Sequence, residues 1–275
     1  MKNSIFILCF ITSSLTFGQT KIDKSKKELN SNASSFGQNN SNTSTNHSRH
    51  RNGDEESSIW LNLVFGIFKY GVIGDYNNED HLHSNLTYYP YYNNESGNYE
   101  NFKASDADTL KKDFRLDIEN HLLFSNKYLY GNHLKVKIRP FHFFYAQTEF
   151  HELYEENKWN NNTDKLSLFY FNLGYDRLRF ENINIGWTIG ASYVGNEVKK
   201  AGFSLGVNTE VFLNNNLSLS AAAKWSAINS KPVNLYDIQG RYHIKKCFIS
   251  LGFEHLIIAS QNYNFLAFGG GIYLN

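Results

Sequence analysis

The chain is 275 residues long, has a formal net charge of +1 and is 16% aromatic, with 18 Tyr, 22 Phe and only three Pro. The balanced charge gives no electrostatic basis for nucleic-acid binding. No stretch of 18 or more apolar residues occurs, which excludes membrane-spanning helices. Abundant aromatic residues together with few prolines favour a protein built from β-strands.

The N-terminus has the features of an export signal. Lys2 precedes the short apolar stretch 5–11, and small residues follow it, so residues 1–18 are predicted to be a cleaved signal peptide. Residues 19–58 are rich in Ser, Asn and Lys and poor in apolar side chains, and we predict a disordered periplasmic segment there. After cleavage Cys247 is the only cysteine left, which excludes an intrachain disulfide.

A period of two residues dominates the C-terminal half. In 183–194, 201–213 and 217–228, apolar residues alternate with Gly, Ser, Thr and Asn. Each run is about eleven residues long, as a tilted membrane strand requires, whereas soluble strands average about five or six. The runs therefore predict transmembrane β-strands with an apolar face toward lipid and a polar face toward the lumen.

The alternation assigns particular side chains to each face. The residues expected to face outward are Ile185, Trp187, Leu205, Val207, Leu219 and Ala221. Those expected to face the lumen include Ser204, Asn208, Glu210 and Lys224.

Ten such segments can be counted, and they predict an all-β, antiparallel, up-and-down barrel over residues 59–275, with eight strands as the alternative. The segments are 60–73, 112–125, 132–146, 165–177, 183–194, 201–213, 217–228, 234–245, 247–258 and 263–274. The first is apolar on both faces and also fits a short helix. The intervals 74–111 and 147–164, after the first and third segments, are predicted to be long extracellular loops, and the connections after the even-numbered segments are predicted to be short periplasmic turns. An even strand count puts both chain ends in the periplasm.

Two hairpins have a predictable register. A turn near Lys127 and Tyr128 would place Glu119 opposite Lys137, Asp117 opposite Arg139 and His121 opposite Lys135, with Ile118 opposite Ile138 on the other face. A turn at Lys245-Lys246 would pair Ile244 with Cys247 facing outward. It would also pair Arg241 with Ser250 facing inward.

The signal ending Phe17-Gly18-Gln19 and the Tyr- and Asn-rich intervals resemble the small outer-membrane β-barrel proteins of Bacteroidota. The resemblance implies an outer-membrane location, and contact with membrane lipid, lipopolysaccharide and the barrel assembly machinery. The chain departs from it at the end, Tyr273-Leu274-Asn275, where such barrels usually finish on an aromatic residue. The resemblance concerns architecture and not activity.

Two sets of residues are candidates for function. The first is a lumen charge network, and its members are Arg115, Asp117, Glu119, Lys137, Arg139, Glu210, Lys224 and Arg241. The second is a binding surface in the interval 74–111, formed by His81, His83, Tyr88, Tyr89, Tyr91 and Tyr92. His81 and His83, beside Glu79 and Asp80, either bind a metal ion or are ordinary loop residues.

A third group, Glu254, His255 and Ser260, resembles the rim site of outer-membrane lipid-A deacylases. Those enzymes carry serine two residues after the histidine, where this chain has Ile257, so the nucleophile is missing. We therefore predict no catalytic, cofactor or metal-binding residues. The leading functional hypothesis is a non-enzymatic envelope barrel that is structural or binds a partner through long loops. The alternatives are a narrow pore for small solutes and an outer-membrane hydrolase, either protease or lipid deacylase.

Overall fold

The computed structural model describes residues 20–31, 66–92, 97–100, 114–157, 162–214 and 216–275. Ten antiparallel strands close into a single barrel in which each strand pairs with its neighbours in sequence, and the last pairs with the first. The strands are β1 (Arg115–Asn126), β2 (Leu129–Arg139), β3 (Phe144–Glu156), β4 (Thr163–Arg179), β5 (Ile183–Val194), β6 (Lys200–Asn214), β7 (Leu217–Ile228), β8 (Lys231–Ile244), β9 (Cys247–Ile258) and β10 (Gln261–Leu274). In the described part of the chain, no helix is long and apolar enough to cross a bilayer.

The two ends of the barrel are distinguished by where its first strand begins and its last strand ends. At the basal end β1 begins and β10 ends, and the connections are 140–143, 180–182, 215–216 and 245–246. The distal end carries the connections 127–128, 157–162, 195–199, 229–230 and 259–260. All nine connections are therefore two to six residues long, and no long loop joins two barrel strands.

The predicted alternation of faces is present along the central strands. Leu205 and Val207 are 46% and 47% exposed, whereas Ser204 between adjacent outward positions is fully buried. All the residues predicted to face outward do so, and those predicted to face the lumen are buried or half-buried. The closed, antiparallel, ten-stranded barrel expected from the sequence is confirmed.

The strand count is correct, but two strand assignments and one loop assignment behind it are wrong. Ile67–Ile73 is a π-helical turn and not a barrel strand, which matches the helical alternative for 60–73; residues 60–65 lie outside the described residues. The predicted strand 132–146 instead contains most of β2, a turn at 140–143 and the start of β3. The predicted loop 147–164 is mostly β3 and β4, which leaves only 157–162 as a connection.

The β1–β2 register differs from the prediction by two residues. Asp117 lies opposite Lys137, Glu119 opposite Lys135, and His121 opposite His133. The turn consists of two residues, and a bulge between Phe124 and Asn126 absorbs one more, so every pair shifts while each side chain keeps its face. The β8–β9 prediction is confirmed: Ile244 pairs with the exposed Cys247, and Arg241 pairs with Ser250 inside the barrel.

A short helix closes the distal end. Helix α1 (Lys21–Asn30) begins at the N-cap Thr20, whose side chain accepts a hydrogen bond from the Asp23 amide at 3.1 Å. Its apolar residues Ile22 and Leu29 are fully buried. The composition predicted disorder here, but the mouth of the barrel buries two aliphatic side chains that an isolated segment could not. Residues 32–58 lie outside the described residues.

The basal end is covered by what we call the basal segment, residues 66–92 and 97–100. Arg177 on β4 forms an ion pair with Glu79 at 2.7 Å, and the Trp187 indole donates to the Val72 carbonyl at 3.1 Å. A two-residue ribbon, Asn85–Leu86 with Tyr99–Glu100, carries its second strand toward the lumen. The basal segment precedes β1, so it is not the extracellular loop between two barrel strands that the sequence predicted.

Candidate functional site in the barrel lumen

The lumen changes character along the barrel axis. In its basal and central parts the inward positions of the strands are charged or polar, and the outward positions are apolar. Toward the distal end the pattern inverts: Leu153 and Leu166 are fully buried inside, while Glu152 and Lys165 lie on the outer wall. We call this distal zone the collar. Its apolar interior, completed by Ile22 and Leu29 of α1, is the main hydrophobic core of the described residues.

The basal lumen is held together by arginine–carboxylate pairs. Arg115 contacts Asp117 at 2.8 Å, and Arg139 contacts Asp176 at 2.6 Å and Asp117 at 3.6 Å. All four side chains are almost completely buried. Buried charges of this kind are tolerated because each is paired and hydrogen-bonded.

The basal segment inserts two residues into this network. The Asn98 amide donates to Glu210 at 2.6 Å, and its carbonyl oxygen accepts from Arg115 at 2.8 Å. The Tyr99 hydroxyl donates to Asp176. Gly97, with a φ of +116°, makes the insertion possible, since a Cβ at that position would collide with the Glu181 carbonyl oxygen. The basal segment is thus a plug as well as a cover.

A second charged layer lies farther from the basal end. Arg241 joins Glu119 at 2.8 Å to Glu210 at 3.0 Å, and Lys135 approaches Glu119 at 3.7 Å. Lys224 pairs with Glu149. Lys137 lies 4.8 Å from the centroid of the Tyr145 ring.

The eight residues predicted as a lumen charge network are all on the inner face, in these two layers. Sequence reasoning missed Asp176 and Glu149, which partner predicted members. Glu149 was assigned to a loop, and Asp176 lies beside a bulge at the end of β4 that disturbs the alternation. Within the charged part of the lumen, a cavity of about 20 Å³, lined by Lys137, Asn208 and Glu210 among others, has room for about one water molecule.

The predicted binding surface in 74–111 is taken up by internal contacts. Tyr91 donates its hydroxyl to the Leu217 carbonyl at 2.7 Å, and its ring lies 5.3 Å from that of His243. Tyr92 makes edge-to-face contacts with Tyr88 at 4.9 Å and Tyr89 at 5.1 Å.

The two histidines of that surface have different partners. His81 stacks on Phe180 at 4.4 Å, and burial lowers its pKa. His83 contacts the Tyr76 carbonyl at 2.8 Å. The pair does not converge on a common ligand position.

The rim site suggested by Glu254, His255 and Ser260 is not assembled. Glu254 points into the lumen, whereas the neighbouring His255 is on the outer wall beside Asn264. Ser260 donates its hydroxyl to Glu28 of α1 at 2.6 Å. An acid, a histidine and a serine in this arrangement cannot act together.

Glu254 instead belongs to a buried cluster that the sequence did not predict. Its two oxygens lie 2.8 Å from His133 Nδ1 and 3.0 Å from His151 Nε2, and the two imidazoles stack at 3.8 Å. All three side chains are at most 2% exposed. In the described part of the chain, they are the group whose donor atoms converge closely enough to hold a metal ion. The signal was a row of in-register histidines, His121, His133 and His151 on β1, β2 and β3. It was hidden because His151 fell in the predicted loop 147–164 and because the predicted β1–β2 register did not pair His121 with His133.

The distribution of side chains defines the class of protein. Large apolar side chains such as Leu173 (64% exposed) and Phe203 (61%) point away from the barrel, while paired charges fill the interior. Exposing so much apolar surface to water over many strands is unfavourable, whereas a barrel that spans a bilayer needs an apolar surface toward lipid. The molecule is a transmembrane β-barrel with a filled lumen.

No protein-family model and no curated protein sequence matches the chain. Among solved structures, it is similar to an outer membrane channel from Pseudomonas putida F1, at 7% identity and a TM-score of 0.35, over 63% of this chain and 100% of that one. It is also similar to Ail, the attachment invasion locus protein of Yersinia pestis, at 11% identity and a TM-score of 0.30, over 58% and 97% of the two chains. Likeness this distant carries no information on activity.

Proposed function

We propose that the chain is a non-conducting β-barrel of a bacterial outer membrane that acts as a structural or partner-binding element of the cell envelope. The observation that carries the proposal is that three groups of side chains fill successive parts of the lumen along the barrel axis. Asn98 and Tyr99 of the basal segment fill the basal end, ion pairs fill the centre, and the aliphatic interior of the collar under α1 fills the distal end. An ion would have to displace all three to cross.

Because no long loop joins two barrel strands, we assign partner binding to the collar. It extends the wall past the apolar belt with a polar exterior, on which Tyr130 and Tyr154 stack at 5.5 Å. We place the basal end in the periplasm, where outer-membrane barrels keep their strand termini. Membrane lipid and lipopolysaccharide would surround the apolar wall, and the assembly machinery would act on β10.

This orientation separates the two ends of the mature chain. The sequence placed both in the periplasm, but α1 docks at the distal end and β10 finishes at the basal end. With the basal end in the periplasm, α1 lies at the outer surface.

The test is conductance in planar lipid bilayers. The mature chain should insert without a steady current. As a control for insertion, a variant opened in all three parts should admit ions. It lacks residues 20–31, carries Leu153→Ser, Leu168→Ser and Leu256→Ser in the collar and Asn98→Gly and Tyr99→Gly at the basal end, and has Glu119→Ala and Arg241→Ala in the central ion pairs. A steady single-channel current from the unaltered chain would overturn the proposal and favour the narrow pore.

A further inference from the structure

The buried cluster of His133, His151 and Glu254 lies at the boundary between the charged lumen and the collar. On each strand the next inward residue toward the distal end is small or apolar: Gly131, Leu153 and Leu256. The cluster is therefore enclosed, with the aliphatic core on one side and the ion pairs on the other.

Its donor atoms are poorly satisfied by the protein. Neither ring nitrogen of the fully buried His151 has a well-aligned hydrogen bond in the described structure, although Nε2 lies 3.0 Å from Glu254. The Nε2 atom of His133 and the Oε1 atom of Glu254 are likewise unsatisfied among the described residues. Buried polar groups are normally hydrogen-bonded, and each one left without a partner costs about 1–3 kcal/mol. Two of these atoms, His151 Nε2 and Glu254 Oε1, face each other at 3.0 Å, and His133 Nδ1 lies 2.8 Å from the other Glu254 oxygen. One donor atom from each of the three residues therefore meets at a single buried position, as at a metal site.

The local charge indicates that a ligand at this position would be a cation. Asp237 on β8 lies directly opposite Glu254, and both carboxylates are buried. Among the described residues, no lysine or arginine forms an ion pair with either of them, and one oxygen of Asp237 also lacks a hydrogen bond. Like charges placed opposite each other on adjacent strands are destabilising. A divalent cation would neutralise the two carboxylates together.

We propose that His133, His151 and Glu254 bind a divalent transition-metal ion, with Zn²⁺ as the best match. Two imidazoles and one carboxylate are ligands that zinc accepts, at bond lengths of about 2.0–2.2 Å. Tetrahedral ligands at these lengths stand about 3.3–3.5 Å apart, so the observed 2.8 and 3.0 Å contacts have to open by a few tenths of an ångström. The two imidazoles, which stack at 3.8 Å, also have to rotate so that both ring planes contain the ion. Asp237 is placed to support the site from the adjacent strand. The ion joins β2, β3 and β9 across the lumen and has a structural role.

The experiment uses the full mature chain, refolded into detergent micelles with Zn²⁺ or Co²⁺ present, because the enclosed site is accessible only before the barrel closes. Free metal is removed with a chelating resin, and the retained metal is measured by mass spectrometry. His151→Phe and Glu254→Gln remove ligands while keeping volume. His243→Phe is the matched control, since His243 is an equally buried lumen histidine hydrogen-bonded to Ser218 near the basal end.

We expect about one ion per chain in the unaltered protein and in His243→Phe, and at least a tenfold loss in the two ligand variants. Folding of each variant is checked by its heat-modifiable mobility in gels. If the ligand variants do not fold, the visible spectrum of the Co²⁺-loaded unaltered chain decides, since intense d–d bands report four-coordinate geometry. Retention of no metal by the unaltered chain, retention equal to that of a folded His151→Phe variant, or only the weak bands of six-coordinate Co²⁺ would overturn the proposal.

Discussion

At the scale of single residues, the lumen depends on charges that are buried with their partners. Asp176 receives hydrogen bonds from Arg139 and Tyr99, and none of the three side chains is appreciably exposed. Asp176→Ala would leave the Arg139 guanidinium short of its closest counter-charge, and we expect a loss of about 3–5 kcal/mol in the free energy of unfolding. The double change Arg139→Met with Asp176→Leu should cost less than the single one. Unfolding in urea followed by tryptophan fluorescence measures both, and a double variant at least as damaging as Asp176→Ala would contradict the coupling.

A second effect at this scale is a dependence of α1 docking on pH. Both carboxylate oxygens of Glu28 accept hydrogen bonds from Ser260, from its hydroxyl at 2.6 Å and its amide at 3.0 Å, and these lower the pKa of Glu28 below its usual 4.5. A lowered folded-state pKa contributes stability that is present above pH 4.5 and is lost as the pH falls through the lowered value. Hydrogen exchange of the α1 amides should therefore accelerate in acid, beyond the intrinsic pH dependence. In Glu28→Gln the acid-induced part should shrink, and an unchanged profile in that variant would assign the effect to another group.

At the scale of elements, α1 is held by a few buried contacts and should detach without unfolding the barrel. Leu29 is fully buried at the mouth, whereas Lys24 is exposed on the opposite side of the helix. Leu29→Asp would bury an unpaired carboxylate among aliphatic side chains, so we expect α1 to undock and become cleavable by trypsin. Lys24→Asp is the control and should remain protected. Heat-modifiable mobility should persist in both, and its loss in Leu29→Asp would show that α1 is needed for the barrel itself.

The change at the collar from a polar to an apolar interior explains which strands could be predicted from the sequence. In 183–194 and 217–228 the apolar face points to lipid over most of the length, so Ile185 and Leu219 follow one simple alternation. In β3 the inside changes from Glu149 and His151 to Leu153, and the outside turns polar at Glu152, so no single alternation persists and the strand resembles a loop. The histidine–glutamate cluster was missed for the same reason, since one of its members is on β3. Helix α1 was missed because two apolar residues do not stabilise an isolated helix, and the sequence does not show that the mouth of the barrel buries them.

At the scale of the whole molecule, the proposed orientation can be tested with single cysteines. Cys247 is exposed on the outer wall near the basal end and is the only described cysteine. Lys127 is exposed in the distal turn between β1 and β2. In intact cells a membrane-impermeant maleimide should label the variant Cys247→Ser with Lys127→Cys and leave the unaltered chain unlabelled until the cells are lysed. The reverse pattern would turn the barrel over and place α1 in the periplasm.

The position of α1 also has a consequence for the order of assembly. It contacts residues of four distal connections or their flanks, among them Asp164, Glu197, Asn229 and Ser260. Its binding place therefore exists only after eight of the ten strands have been paired, although α1 is the first described element of the chain. The docking of α1 should therefore follow the pairing of these strands, so that during refolding its amides gain protection from hydrogen exchange after those of the sheet.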